Sequence, residues 1–133
     1  MVGGQWSVVK KNGDETVNTI ERGKMGEAIA LEYLKNKGYV SVAGGWRSRF
    51  GEIDLIVKNR ESLVFVEVKL RKNANFAHAR EYVGKAKQSK IRATAGLWLS
   101  CHSTVLQPRF DVVEVYMPDA NATPEIIHIE NAF

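Results

Sequence analysis

The chain has 133 residues, of which 44% are hydrophobic and 26% charged, so its length and composition suit one globular domain and exclude two. No apolar run is long enough to cross a bilayer, and the N-terminus lacks the apolar segment of a signal peptide. Because Cys101 is the only cysteine, no intrachain disulfide can form, and we expect a cytoplasmic protein in which this residue is packed. The net charge of +4 is mild evidence for a polyanionic partner.

Residues 1–19 mix glycine, asparagine, aspartate and lysine without a clear period, which predicts a flexible N-terminal arm ahead of a single domain at 20–133. The first helix is predicted over 20–37, because apolar residues recur there at helical spacing and Gly38 follows as a C-cap residue. Glu27 lies inside the apolar stripe of this helix. It either pairs with a basic residue one turn away or faces a functional site, and periodicity alone favours neither.

Residues 39–43 are predicted as the first strand, followed by a loop over 44–50 that is rich in glycine. Arg47 and Arg49 in this loop suit contacts with phosphate groups. Trp46 would either stack on an unpaired nucleobase or pack over the sheet, and both alternatives stay open from the sequence.

Residues 51–71 are predicted as two strands joined by a polar turn at 58–62, because β-branched and aromatic residues dominate both runs with period two. In the first strand the alternation assigns one face to Ile53, Leu55 and Val57 and the other to Glu52, Asp54 and Ile56. Neighbouring strands lie about 5 Å apart. Asp54 and Glu67 could therefore converge on one cation, with Lys69 one pleat further along.

Charged side chains at the edge of a core are costly unless they are paired or bound to a metal, so this acidic pair needs an explanation. Carboxylate oxygens are the ligands that Mg²⁺ or Mn²⁺ prefers, and the backbone carbonyl of Val68 is a candidate third oxygen ligand. A lysine beside such a pair suits a phosphate oxygen or an attacking water. Glu52 would be an accessory to this site.

A polar loop over 72–79 is predicted to lead to a second helix over 82–99, whose apolar side carries Val83, Ile91, Ala95 and Trp98. The other positions of this helix are rich in basic residues, a composition that neutralises phosphates or is simply solvated. The candidate nucleic-acid contacts in this part of the chain are Arg71, Lys85, Lys87, Gln88 and Lys90.

Two further strands are predicted at 109–117 and 126–129. The order helix, strand, strand, strand, helix, strand, strand then predicts an α/β domain with a mixed sheet flanked by helices. Asp111 is expected to pair with Arg109 or to cap the sheet end, and His128 is expected to be structural.

An acidic residue on one strand and Glu-x-Lys on the next resemble the PD-(D/E)xK nucleases, which have the restriction-endonuclease-like fold. The longer strings GKMGEAIALEYLKNKGY, WRSRFGEIDLIV, FVEVKLRKNANF, RFDVVEV and HIENAF resemble the bacterial YraN-like family, whose uncharacterised members are grouped with endonucleases. The sequence departs from that family's pattern at Gly45, where asparagine is frequent, at Leu70, where a small polar residue is common, and at Ala77, where glycine is common.

The resemblance implies a restriction-endonuclease-like mixed sheet and relatedness to Holliday-junction resolvases. The residues it implies as catalytic are Glu27, Asp54, Glu67 and Lys69, with Lys87 and Gln88 as auxiliary residues. It also implies a DNA substrate with branched or single-stranded regions, and it allows a homodimer in which two sites cut symmetrically.

The sequence therefore favours a metal-dependent, structure-selective endonuclease. The first alternative is a non-cleaving nucleic-acid-binding module that retains the fold, for which we expect no divalent-ion site at Asp54 and Glu67. The second is a structural protein in which Glu67 and Lys69 form a simple ion pair and which has no affinity for nucleic acid.

Overall fold

The computed structural model describes residues 15–72, 83–119 and 121–133. Within these ranges the chain forms α1 (Glu15–Asn36), β1 (Val40–Ser48), β2 (Gly51–Lys58), β3 (Ser62–Arg71), α2 (Lys85–Cys101), β4 (Gln107–Tyr116) and β5 (Glu125–Ile129). The strands lie side by side in chain order, and all neighbours are antiparallel except β3 and β4. The parallel pair requires a long crossover connection, and α2 lies in it. The predicted α/β class, with a mixed sheet and flanking helices, is confirmed.

Each helix covers one side of the sheet, which follows from the near-continuous apolar runs in the central strands. On the α1 side, Ala30 and Leu34 are fully buried against the sheet. On the α2 side, Ile91, Ala95 and Trp98 are buried, with the ring of Trp98 edge-on to Phe65 at a centroid separation of 6.1 Å. The predicted apolar side of the second helix is confirmed. No helix within the described ranges is both long and apolar enough to cross a membrane.

Helix α1 begins at Glu15, so residues 15–19 belong to it and the predicted end of the arm at residue 19 is wrong. The prediction failed because apolar periodicity was its only signal, and this polar stretch has no such period. The rest of the arm, residues 1–14, lies outside the described residues. So do residues 73–82, which hold most of the predicted loop and the predicted start of the second helix.

Helix α2 begins at Lys85 after Gly84, whose extended backbone occupies the N-cap position. Val83, predicted as helical, precedes the helix and is buried. The helix continues to Cys101, which is exposed, so the expected packing of this cysteine is wrong. A small side chain in the last turn packs only where the last turn faces the sheet, and the sequence does not fix that.

Strand β1 runs through to Ser48, so the predicted loop at 44–50 is wrong for its first five residues. The Gly44-Gly45 pair favours a turn in the sequence, but pairing with β2 holds this stretch extended, with Trp46 opposite Ile53. Trp46 is half-buried against the α2 side of the sheet, which confirms packing over the sheet as its role. The turn itself is Arg49-Phe50.

Candidate metal and catalytic site

Strands β2 and β3 part at the end of their shared ladder, and this opening positions the acidic residues. The ladder runs from Lys58 opposite Leu63 to Leu55 opposite Val66, whereas β3 continues beside β4 to Arg71. Just beyond its end, the backbone N–H of Val68 donates a hydrogen bond of 2.8 Å to Oδ2 of Asp54. The Asp54 carboxylate therefore occupies the place that a further backbone acceptor of β2 would have taken.

The alternation of side chains along β2 is interrupted at Asp54. Ile53 packs in the cluster on the α2 side, whereas Leu55 packs in the cluster on the α1 side. The predicted common face for Ile53, Leu55 and Val57 is wrong, because residues two apart share a face only in a regular strand. On β1, Gly45 lies between the partners of Leu55 and Ile53 and has a positive φ of 59°, a conformation that side chains other than glycine's rarely adopt.

Glu67 lies on the α2 side and is 7% exposed. Its Oε2 is 2.7 Å from Nζ of Lys87, whose side chain is 51% exposed. The first turn of α2 thus supplies a cation to a buried carboxylate on β3. Glu67 and Lys69, both described, form no ion pair with each other, so the contact expected for a purely structural role is replaced by one from the helix.

Four carboxylates from three elements interact electrostatically at this opening. Burial, followed by repulsion from Glu67, raises the pKa of Asp54 to about 7, although the N–H of Val68 opposes the shift; Glu27 and Glu52 add to it. Burial, then the charges of Glu52 and Glu67, likewise raise the pKa of Glu27, although a nearby lysine opposes the shift. Glu27 therefore lies within electrostatic range of Glu52 and Glu67 and also of Lys24, so both alternatives for this residue stay open. Each of these carboxylates also interacts with a nearby cation: Glu27 with Lys24, Glu52 with Arg47, and both Asp54 and Glu67 with Lys69 and Lys87.

The pKa values of the two lysines of the site, Lys69 and Lys87, are shifted in opposite directions. Burial lowers the pKa of Lys69; Glu67 and Asp54 oppose this shift, whereas Lys87 and Arg71 reinforce it. Burial also lowers the pKa of Lys87, but its hydrogen bond to Glu67 and the charges of Glu67 and Asp54 outweigh burial and leave that pKa raised. Lys87 is therefore the fixed cation of the pair, and Lys69 is the one that gives up its proton more easily.

Some of the residues predicted to contact nucleic acid are exposed, whereas others are bonded to protein groups or partly buried. Lys85 and Lys90 are exposed on α2, and Arg49 is exposed at the β1–β2 turn. Other predicted contacts already have protein partners or are partly buried. Arg47 lies 3.5 Å from Glu52, the Gln88 amide donates to the Val83 carbonyl at 2.8 Å, and Nε and Nη2 of Arg71 are buried.

Within the described part of the chain, no group of three or more His, Cys, Asp or Glu side chains is arranged to hold a metal ion. The candidate ligands are the carboxylates of Asp54 and Glu67. In a strand the N–H and C=O of one residue point the same way, so the Val68 carbonyl faces the side on which its N–H meets Asp54. A set of oxygen donors fits Mg²⁺ or Mn²⁺, since Mg²⁺ keeps several of its waters in such sites.

The direct contact between Lys87 and Glu67 was not predicted, although the sequence carries a signal for it. Lys87 stands four residues before Ile91 and eight before Ala95, so it continues the apolar stripe of α2 towards the sheet. A basic residue in line with such a stripe is expected to face a carboxylate rather than solvent. The identity of that carboxylate depends on how the helix packs against β3, which the spacing does not give.

A second polar cluster lies on the α1 side of the sheet and contains Asp111, which is fully buried. The guanidinium of Arg109 donates to both of its oxygens, at 2.9 and 2.8 Å, and Nε2 of His128 is 2.7 Å from Oδ2. The predicted pairing of Asp111 with Arg109 and the structural role of His128 are confirmed.

Comparison with known proteins places this chain among uncharacterised relatives. Residues 26–115 match the model of the uncharacterised protein family UPF0102. A UPF0102 protein of Caldanaerobacter subterraneus subsp. tengcongensis is 41% identical over 119 residues, covering 88% of this chain and 98% of the relative. A UPF0102 protein of Geotalea daltonii is 40% identical over 124 residues, covering 92% and 93%, and one of Clavibacter michiganensis is 43% identical over 97 residues, covering 72% and 82%.

Proposed function

The chain belongs to the uncharacterised protein family UPF0102, and we propose that it is a metal-dependent endonuclease that hydrolyses phosphodiester bonds in DNA with branched or single-stranded regions. The family resemblance predicted from the sequence is confirmed, but the family name assigns no activity. The nuclease fold and the relation to resolvases are therefore part of the proposal. One observation carries it: an acidic cluster in which the pKa of Asp54 is raised to about 7 lies beside two lysines where β2 and β3 part.

Asp54, Glu67 and the Val68 carbonyl would hold the metal ion, because they supply the oxygen donors at the opening of the sheet. An ion held by these residues would supply Lewis acidity at a phosphoryl oxygen and would ease the deprotonation of water near neutral pH. Bringing a phosphate to this site also requires protein cations, since the cluster by itself repels an anion. Lys87, Lys85 and Lys90 on α2 provide them.

Lys69 is the residue we assign to the attacking water. Its pKa is lowered by burial, so more of it is in the neutral form that can take a proton from the water, and its amine can orient that water while charge develops on the phosphate. Glu27, which α1 places within electrostatic range of Glu52 and Glu67, is assigned to the same water.

A non-cleaving nucleic-acid-binding module is the second candidate, and the basic face of α2 suits it equally well. The acidic cluster does not. A module that only binds phosphate gains nothing from burying mutually repelling carboxylates beside the binding face, because they weaken binding and destabilise the fold. Asp54 and Glu67 therefore favour the nuclease.

The test is a cleavage panel of branched, flapped and fully paired DNA, with Mn²⁺, Mg²⁺ or EDTA. We expect the parent to cut branched or flapped DNA only with a divalent ion. Lys69→Met should lower the rate by about 10²- to 10⁴-fold, since it removes the group assigned to proton transfer. Lys58→Met, which changes an exposed lysine at the far end of β2, should cut like the parent. No cleavage of any DNA by the parent, or equal cleavage by Lys69→Met, contradicts the proposal.

Metal affinity should increase when Lys87 is neutralised. Nζ of Lys87 lies 2.7 Å from Oε2 of Glu67, so it competes with a metal ion for this oxygen, and its positive charge repels the ion. Lys87→Gln should therefore bind Mn²⁺ about 5- to 30-fold more tightly, as measured by calorimetric titration. The matched control is Lys90→Gln, one turn further along the same helix and exposed, which should bind Mn²⁺ like the parent. Unchanged or weaker binding by Lys87→Gln would show that Glu67 is not a ligand.

A further inference from the structure

The turn between β1 and β2 carries an exposed aromatic side chain. Phe50 is 40% exposed, and it is the aromatic residue among the exposed large hydrophobic residues of the described ranges. The guanidinium carbon of Arg49 lies 4.9 Å from the centroid of its ring. One aromatic face is thus covered by a cation, while a large part of the side chain still meets solvent.

The backbone that presents Phe50 is fixed to α2. Its N–H donates to Oγ of Ser48 at 3.0 Å, and that oxygen lies 2.9 Å from Oγ1 of the fully buried Thr94. Thr94 in turn donates to the Lys90 carbonyl at 2.8 Å. Gly51 has a φ of 154°, and a Cβ there would lie 3.7 Å from Cβ of Lys90, so the turn packs directly against the helix. These contacts hold the backbone at Phe50 in place before any ligand binds, which lowers the ordering entropy that binding costs.

Positive charge lies beside this aromatic group. Arg49 is exposed and covers the ring, and Lys90 is exposed and lies against Gly51, the next residue. The side chain of Arg47, 3.5 Å from Glu52, is still 80% exposed. An aromatic ring flanked by arginine and lysine is the combination with which proteins bind single-stranded nucleic acid, because the ring stacks on a base while the cations hold the phosphates.

We propose that Phe50 stacks on an unpaired nucleobase and so selects DNA with a splayed or single-stranded nucleotide beside the cut. This inference rests on the proposed nuclease function and names the residue that selects the unpaired nucleotide. Gly51, which follows Phe50, and Asp54 are three residues apart on β2, about 10 Å, so Phe50 lies near the candidate site. Trp46 is half-buried in the core and does not offer this surface.

The experiment compares binding to a labelled duplex with a single-stranded flap and to a fully paired duplex of equal length, in EDTA at about 50 mM salt, where phosphate contacts are strong and no cleavage occurs. Phe50→Ala should bind the flapped DNA about 5- to 100-fold more weakly and the paired duplex within about twofold of the parent. Phe50→Tyr keeps an aromatic face and should bind like the parent. Ile127→Ala, which shortens an exposed side chain on β5 at the opposite edge of the sheet, is the control and should change neither affinity.

The outcomes separate this inference from the proposed function. Equal flap affinity for Phe50→Ala and the parent, or an equal loss on both DNAs, overturns base stacking by Phe50 and leaves the cleavage proposal to its own panel. If the parent binds neither DNA, both proposals fail. Thermal unfolding of each variant gives an independent check that the fold is intact.

Discussion

Asp54→Asn is expected to lower metal-dependent DNA cleavage by at least about 10³-fold and to stabilise the metal-free protein at pH 8. The first effect follows from its assignment as a ligand, since asparagine lacks the negative charge that holds a divalent ion. The second follows from its surroundings, because an ionised Asp54 is buried beside other carboxylates. A residue that is needed for activity and is unfavourable for folding is expected of a functional site, not of a structural one.

The pH dependence of this stabilisation has a defined sign. The pKa of Asp54 rises from 3.8 to about 7 on folding, so ionisation is harder in the folded protein. Its destabilising contribution is absent below about pH 4, grows through the interval up to about pH 7 and is constant above it. A shift of this size corresponds to at most about 4 kcal/mol. Because the N–H of Val68 then donates to a neutral acceptor, we expect a net gain of about 1 to 3 kcal/mol.

The measurement is chemical unfolding of both proteins in EDTA from pH 4 to pH 8. The advantage of Asp54→Asn should be small at pH 4 and largest above pH 7. Glu61→Gln, which neutralises an exposed carboxylate in the β2–β3 turn, should show no such trend. An Asp54→Asn protein that is less stable than the parent at pH 8, or that still cuts DNA at the parent rate, would remove Asp54 from the site.

The sequence predicted those elements whose signals are local. In β3, the alternation of Val64 and Val66 with Leu63 and Phe65 predicted the strand, and the structure buries both of its faces. In β1 the Gly44-Gly45 pair predicted a turn, because the pairing that keeps this edge strand extended comes from β2 and leaves no mark in the local sequence. The interrupted alternation of side chains at Asp54 could not be predicted for the same reason. It lies beside Gly45, which belongs to the neighbouring strand β1.

The sequence could predict only those parts of the candidate site that lie on one β-hairpin. Asp54 and Glu67 lie on strands joined by a short turn, so their positions in the sequence were enough to predict that they are neighbours. The contacts made by the helices required tertiary structure: Glu27 against the cluster, and Lys87 on Glu67. The exposure of Phe50 also could not be predicted, because adjacent residues in a turn have no fixed facing direction.

The pKa of Asp111 is shifted in the opposite direction to that of Asp54, although burial raises the pKa of both aspartates. Burial by itself raises the pKa of Asp111, but hydrogen bonds from His128, Arg109 and the backbone N–H of Asn131 outweigh burial and leave the pKa lowered. Because a lowered folded pKa favours the ionised form, the stability from this carboxylate is fully present above about pH 4 and is lost as the pH falls through the folded pKa.

Asp111→Asn should therefore destabilise the protein by about 3 to 5 kcal/mol at pH 7, since it removes the buried negative charge that pairs with the partly buried guanidinium of Arg109. Thermal unfolding should show a midpoint lower by roughly 10 to 20 °C. Glu130→Gln removes the second, exposed carboxylate near Arg109, at 3.9 Å, and should cost less than about 1 kcal/mol. Below its unfolding temperature Asp111→Asn should still cut DNA, because this cluster faces α1 while Glu67 faces α2. Loss of cleavage by the folded variant would instead place Asp111 in the catalytic site.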